Sequence, residues 1–236
     1  MTTPGQTAGV SLFTPAFEEA LNLSRTQQTG AYALGTFLAS LIMTYIGAQM
    51  DRFGIRRVMG VVVICFGLVC VYTGFVTGFW TLFIAFLFLR MFGQGALSLL
   101  SQNTAAMWFD KRLGMANAVT GIGFSLAAAG MPFFVLWLLD LVSWRVAYPI
   151  LGIVVVVVMM PLILFLYVDR PEDIGQLLDG GWRGPANLID PEPAANFTLQ
   201  EAMRTPTYWI VAGMMFSISM IVTGFTFNAL FFFGEV

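Results

Sequence analysis

The sequence predicts an all-α integral membrane protein, and three observations predict it. Of its 236 residues 58% are hydrophobic and only 10% charged, with a mean hydropathy of +0.82, whereas ordinary soluble domains carry about 25% charged residues. Apolar runs of about 20 residues, the length that crosses a bilayer as a helix, recur between short polar connections. One of them, residues 80–109, holds a single arginine, Arg90, well inside it.

The first 17 residues, MTTPGQTAGVSLFTPAF, are apolar only from Gly9 onward. That is less than the length of a span, so residues 5–17 read as a partial first helix. A polar connection follows at 18–28, in which Ser24 and Gln27 have the spacing of a capping box. The second span, 26–50, carries a weakly polar stripe of Tyr32, Thr36, Ser40 and Thr44. It ends at the densest charge cluster in the chain, Asp51-Arg52-Phe53-Gly54-Ile55-Arg56-Arg57. A third span occupies 58–77, and Gly78-Phe79 turns into the fourth.

In the fourth span, 80–109, Arg90 lies about 15 Å below the Trp80 end, near the middle of a hydrocarbon core about 30 Å thick. A charge at that depth costs at least about 2.5–3.5 kcal/mol, so it faces a bundle interior or a wet cavity. Gln94, Ser98, Ser101 and Gln102 follow on the same side of the helix. Asp110-Lys111-Arg112 closes this span. The fifth, 113–141, contains Gly121, Gly123 and Gly130, small residues that let membrane helices approach closely. The sixth, 146–168, has little polarity and is expected to face lipid. Residues 169–205 are rich in proline and glycine and read as a soluble linker, with a capping box at Thr198 and Glu201 opening a short amphipathic helix. A further span covers 206–236, with Pro206 at its first turn.

The chain has no histidine, which removes histidine-based catalysis and most metal chemistry. Cys65 and Cys70 point in different directions on one helix and suggest neither a disulfide nor a metal site. No nucleophile or acid/base pair appears within the spans, so an enzyme is not expected. No cofactor, metal or nucleic acid is implied. Eight of the basic residues, Arg52, Arg56, Arg57, Lys111, Arg112, Arg170, Arg183 and Arg204, fall on one side of the alternating loops, against Arg25 and Arg145 on the other. The positive-inside rule therefore places the linker in the cytoplasm of a multi-pass protein of the cell (plasma or inner) membrane.

Gly47-Ala-Gln-Met-Asp51-Arg52-Phe-Gly54-Ile-Arg56-Arg57 resembles the signature loop of the major facilitator superfamily, and Arg90-Met-Phe-Gly93-Gln-Gly95 resembles a second motif of that family. Arg170-Pro171-Glu172-Asp173-Ile-Gly175, with Asp179-Gly180 just after it, looks like the oxalate/formate antiporter and monocarboxylate transporter branch. The resemblance implies a twelve-helix carrier whose halves rock around a central site. Against that plan the chain matches an N-terminal six-helix bundle, first helix incomplete, plus a seventh transmembrane helix.

The function then expected is transport of a small organic anion, with the lipid bilayer and that anion as partners. Arg90 supplies positive potential in the cavity, Gln94 and Tyr32 hydrogen bonds, and Thr36, Ser98 and Asn117 line the walls. Gly47, Asp51, Arg52, Gly54, Arg56 and Arg57 form a gating loop. The bland alternative keeps Arg90 as a structural residue bonded to polar neighbours, and the loop arginines as charges that fix topology. All thirteen acidic residues fall in loops or near helix ends, which favours anion exchange over proton symport. A second expectation is a truncated, non-transporting fragment or half-length scaffold that needs a partner chain or the missing C-terminal half.

Overall fold

A computed structural model describes residues 3–176, 178–180, 201 and 203–234, with side chains described as far as residue 226. It is built of helices: α1 Thr7–Leu21, α2 Arg25–Phe53, α3 Ile55–Thr73, α4 Phe79–Trp108, α5 Leu113–Leu141, α6 Trp144–Leu166 and α7 Pro206–Gly234. Six of these, all but α1, are long and apolar enough to cross a membrane, so the all-α membrane fold class expected from composition holds.

The first helix differs from the expectation of a partial helix over 5–17. A 3₁₀ turn, Thr3–Gly5, precedes it, and α1 runs to Leu21, ending on Asn22 in the left-handed region. At 15 residues it is about 22 Å long, still short of a span. The next helix opens on the capping box read from the sequence: Ser24 Oγ accepts from the Gln27 N–H, and Gln27 Oε1 accepts from the Ser24 N–H at 2.9 Å.

The chain divides into two compact units, residues 1–181 and 182–236. In the first, α3 packs along α6 and α2 along α4. Glycines set these close approaches: Gly67 of α3 meets Val156 and Gly152 of α6, and Gly35 of α2 meets the α4 backbone at Leu87. An aromatic layer fills the space between α1, α4 and α6. Phe13 lies 4.2 Å from Tyr148, Phe17 lies 5.0 Å from Trp144, and Phe86 touches both Phe17 and Tyr32.

Two expectations about faces are corrected. The sixth span was expected to face lipid; instead Ala147, Tyr148, Leu151, Gly152 and Val155 form a buried stripe on one side of α6, while Ile153 and Val157 stay exposed. Helical spacing explains this, because an apolar helix has a packing face whenever small residues recur along it. The glycines of α5 were expected to admit a neighbouring helix, yet a side chain added at Gly121, Gly123 or Gly130 would meet open space. In α5 only Val135 and Leu138 are buried.

The second unit contains α7, whose first residue is Pro206. Trp209 Nε1 donates to the Met203 carbonyl at 2.9 Å just before it. Of the capping box expected at Thr198 and Glu201, Thr198 lies outside the described residues.

Candidate functional site

Arg90 enters the bundle on a distorted stretch of α4. Residues Leu89–Ala96, LRMFGQGA, form a π-helical segment, and such widened turns concentrate at functional sites. Gly93 sits at its centre, where a Cβ would lie 2.8 Å from the Cα of Gly5. The backbone just before α1 thus rests directly on the widened turn of α4, which brings Thr7 over Arg90.

Arg90 is 7% exposed. Its Nε donates to Thr36 Oγ1 at 2.9 Å and its Nη1 to Thr7 Oγ1 at 3.0 Å, and its guanidinium carbon lies 4.9 Å from the centre of the Tyr32 ring. Thr36 in turn donates to the Tyr32 carbonyl at 2.8 Å. Thr7 Oγ1 also accepts from the Tyr32 hydroxyl at 3.0 Å and donates to Gln94 Oε1 at 3.2 Å. A hydroxyl has one donor and two acceptor positions, so that of Thr7 is fully used.

The structure therefore brings together Arg90, Gln94, Tyr32 and Thr36, and adds Thr7, which the sequence reading missed. Ser98 lies further along α4, half-buried and outside this network. Asn117 is exposed on α5, where its carbonyl accepts from Thr120 at 3.0 Å. Ser40 bonds its own helix, at the Phe37 carbonyl. A signal for Thr7 existed: Thr7, Ser11, Thr14 and Glu18 follow the i, i+4, i+7, i+11 spacing of one helix face. The first three are buried.

The expected gating loop is not a loop. Gly47, Asp51 and Arg52 lie on α2, Arg56 and Arg57 in the first turn of α3, and Gly54 alone breaks the helix, at φ +83°. Arg56 is committed elsewhere. Its backbone N–H donates to Asp169 Oδ1 at 2.7 Å, and its side chain to the carbonyls of Ile163 (3.1 Å) and Leu164 at the end of α6. That combines a carboxylate at the start of one helix with a cation at the end of another, both favoured by the helix dipole. Asp51, Arg52 and Arg57 are exposed, with Arg52 over the Phe53 ring at 5.2 Å.

The linker has a second anchor. Asp179 accepts from the backbone N–H groups of Asp110, Lys111 and Arg112 at 3.1, 3.0 and 3.2 Å. Partial desolvation raises its pKa, but these three bonds and the Arg112 charge outweigh that and hold the carboxyl below its ordinary value.

Apolar helices long enough to cross a membrane, packed around a buried arginine held by hydroxyls, define an integral membrane protein with a polar site inside its bundle. The profile of the Major Facilitator Superfamily matches residues 3–236, and the chain belongs to that family of transporters. It is 25% identical over 210 residues to an uncharacterized MFS-type transporter, YhjX, of Escherichia coli (strain K12), covering 89% of this chain and 49% of that protein. It is 24% identical over 165 residues to an uncharacterized transporter, YybO, of Bacillus subtilis (strain 168), covering 69% of this chain and 37% of that protein. The chain thus spans less than half the length of these relatives.

Proposed function

We propose that this chain forms one half of a carrier for small organic anions of the monocarboxylate, oxalate or formate type, working by alternating access and most simply by exchange. The observation that carries this reading is the Arg90 guanidinium: it is buried, and among the described residues its hydrogen-bond partners are hydroxyls rather than a carboxylate. A buried cation without a counter-ion is unfavourable. An anionic substrate supplies the missing charge, and the planar fork of arginine matches a carboxylate bidentately. The linker sequence Arg170-Pro171-Glu172-Asp173 supports the carboxylate branch. The clustering of basic residues on the linker side supports a plasma-membrane carrier with that side in the cytoplasm.

Binding of radiolabelled oxalate and formate to the purified chain in nanodiscs, measured by equilibrium dialysis, tests the reading. Arg90→Ala is expected to weaken binding by about ten- to a hundredfold, the range for loss of a charged hydrogen bond. Arg90→Lys keeps the charge, loses the fork and should fall between. Equal affinity in wild type and Arg90→Ala, or no binding of either anion, overturns it.

A further inference from the structure

We infer that Thr7 is a built-in stand-in for the substrate: its hydroxyl occupies Arg90 while the carrier is empty, and a carboxylate arriving on the guanidinium loosens the start of α1. The inference rests on Arg90 being the anion site.

Thr7 Oγ1 lies 3.0 Å from Arg90 Nη1, the distance at which a carboxylate oxygen would bond the same nitrogen. With Tyr32 and Gln94 as its other partners, this one hydroxyl ties α1 to α2 and to α4. Both helices are joined a second time, and without Thr7, by the Arg90 to Thr36 bond. Removing the Thr7 bonds therefore loosens the start of α1, while Phe13 and Phe17 further along stay packed on α4 and α6, and leaves α2 and α4 together.

Competition for Nη1 is unequal. The Arg90–Thr7 bond has one charged partner, whereas a carboxylate brings the opposite charge and a second parallel bond to the guanidinium fork, so a carboxylate displaces the hydroxyl rather than the reverse. Thr7 would then keep only its two neutral partners. On α4 this segment is then held by the neutral Thr7 to Gln94 bond and by the backbone contact of Gly5 with Gly93, packing with no directional bond to break. The polar face of α1, with Ser11 and Thr14 buried beside Thr7 in the same stripe, moves with it. Thr7 is in this account a positioning residue, acting through Arg90.

The experiment places one cysteine at Ala8, a half-buried neighbour of Thr7, in the full chain with Cys65 and Cys70 changed to alanine, and follows its alkylation by N-ethylmaleimide in nanodiscs. Thr7→Val, nearly the same shape without the hydroxyl, is expected to speed labelling at least about fivefold, the loss of a hydrogen bond to a charged group. Thr7→Ser should restore the slow rate. Oxalate or formate should speed labelling with Thr7 present and change nothing in Thr7→Val. Labelling of Thr7→Val at the rate of the threonine protein overturns the inference. If Thr7→Val is fast but neither anion acts on the threonine protein, the anion reading of Arg90 fails and the stand-in role falls with it, leaving Thr7 as a tie between helices. Should Thr7→Val not fold, Tyr32→Phe deletes one bond of the three and is expected to label at an intermediate rate; no change there overturns the inference equally.

Discussion

Gly54 separates α2 from α3 at φ +83° and ψ 153°, a backbone region that a residue with a Cβ enters only under strain. A Cβ there would also lie 3.1 Å from Asp169 Oδ2, crowding the carboxylate that accepts the Arg56 N–H. Gly54→Ala is expected to destabilise the first unit by about 1–3 kcal/mol, read as a lower midpoint of thermal unfolding in detergent; an unchanged midpoint contradicts the strain. At this scale the sequence was legible unevenly. A lone arginine in an apolar run announces itself, because no other residue of 80–109 carries a charge and the depth is costly. Thr7 did not, because a threonine in a short helix carries no such penalty, and its partners Tyr32, Arg90 and Gln94 are 25, 83 and 87 residues away. Asn117 and Ser98 are polar residues within spans, and polarity alone does not say which way a side chain faces.

The helices were legible where apolar runs meet polar connections, but their internal irregularities were not. The fourth span reads as one regular helix because the 3.6-residue period of its polar side barely changes over a single widened turn. What makes the π segment tolerable is the pair of glycines at 93 and 95 together with the chain packed on it, and only the second of these is invisible in sequence. Gly93→Ala tests this directly. Its Cβ would fall 2.6 Å from a Phe66 ring carbon and 2.8 Å from the Gly5 Cα, closer than packed atoms sit. We expect the backbone before α1 to be pushed from α4, faster amide exchange in α1, and oxalate binding weakened with it. Gly123→Ala on α5, in open space, is the control: it gains about 1 kcal/mol of helix propensity and should leave both measurements unchanged. Equal effects of the two alanines would mean that packing at Gly93 does not set the site.

Across the first unit, the two ends of the bundle are finished differently. At the end bearing the α2–α3 and α4–α5 connections, residues 169–176 and 178–180 form a strap pinned by Asp169 at Arg56 and by Asp179 at residues 110–112, with the Tyr167 and Thr104 hydroxyls 2.7 Å apart. At the opposite end, Thr14 Oγ1, Glu18 Oε1, both Gln28 amide atoms and the Tyr148 hydroxyl are buried without a protein partner among the described residues. The sequence showed the charges of the strapped end as a topology signal and the Asp179-Gly180 pair as a resemblance, but not that a linker carboxylate folds back on backbone donors from 67 to 69 residues away. The strap has a pH signature with a definite sign. The Asp179 pKa is lowered in the folded chain, so the folded state binds fewer protons than the unfolded one and stability rises with pH through that window. The contribution is complete above the ordinary carboxylate value of 3.8 and is lost as pH falls through the lower folded value. Asp179→Asn removes the charge and should unfold at a lower temperature than wild type near neutral pH. As pH falls below that value, the gap should shrink toward zero because wild type loses what the variant never had. A gap that stays constant on acidification would mean that the backbone N–H groups hold Asp179 by shape and not by its charge, and the strap would then be indifferent to protonation.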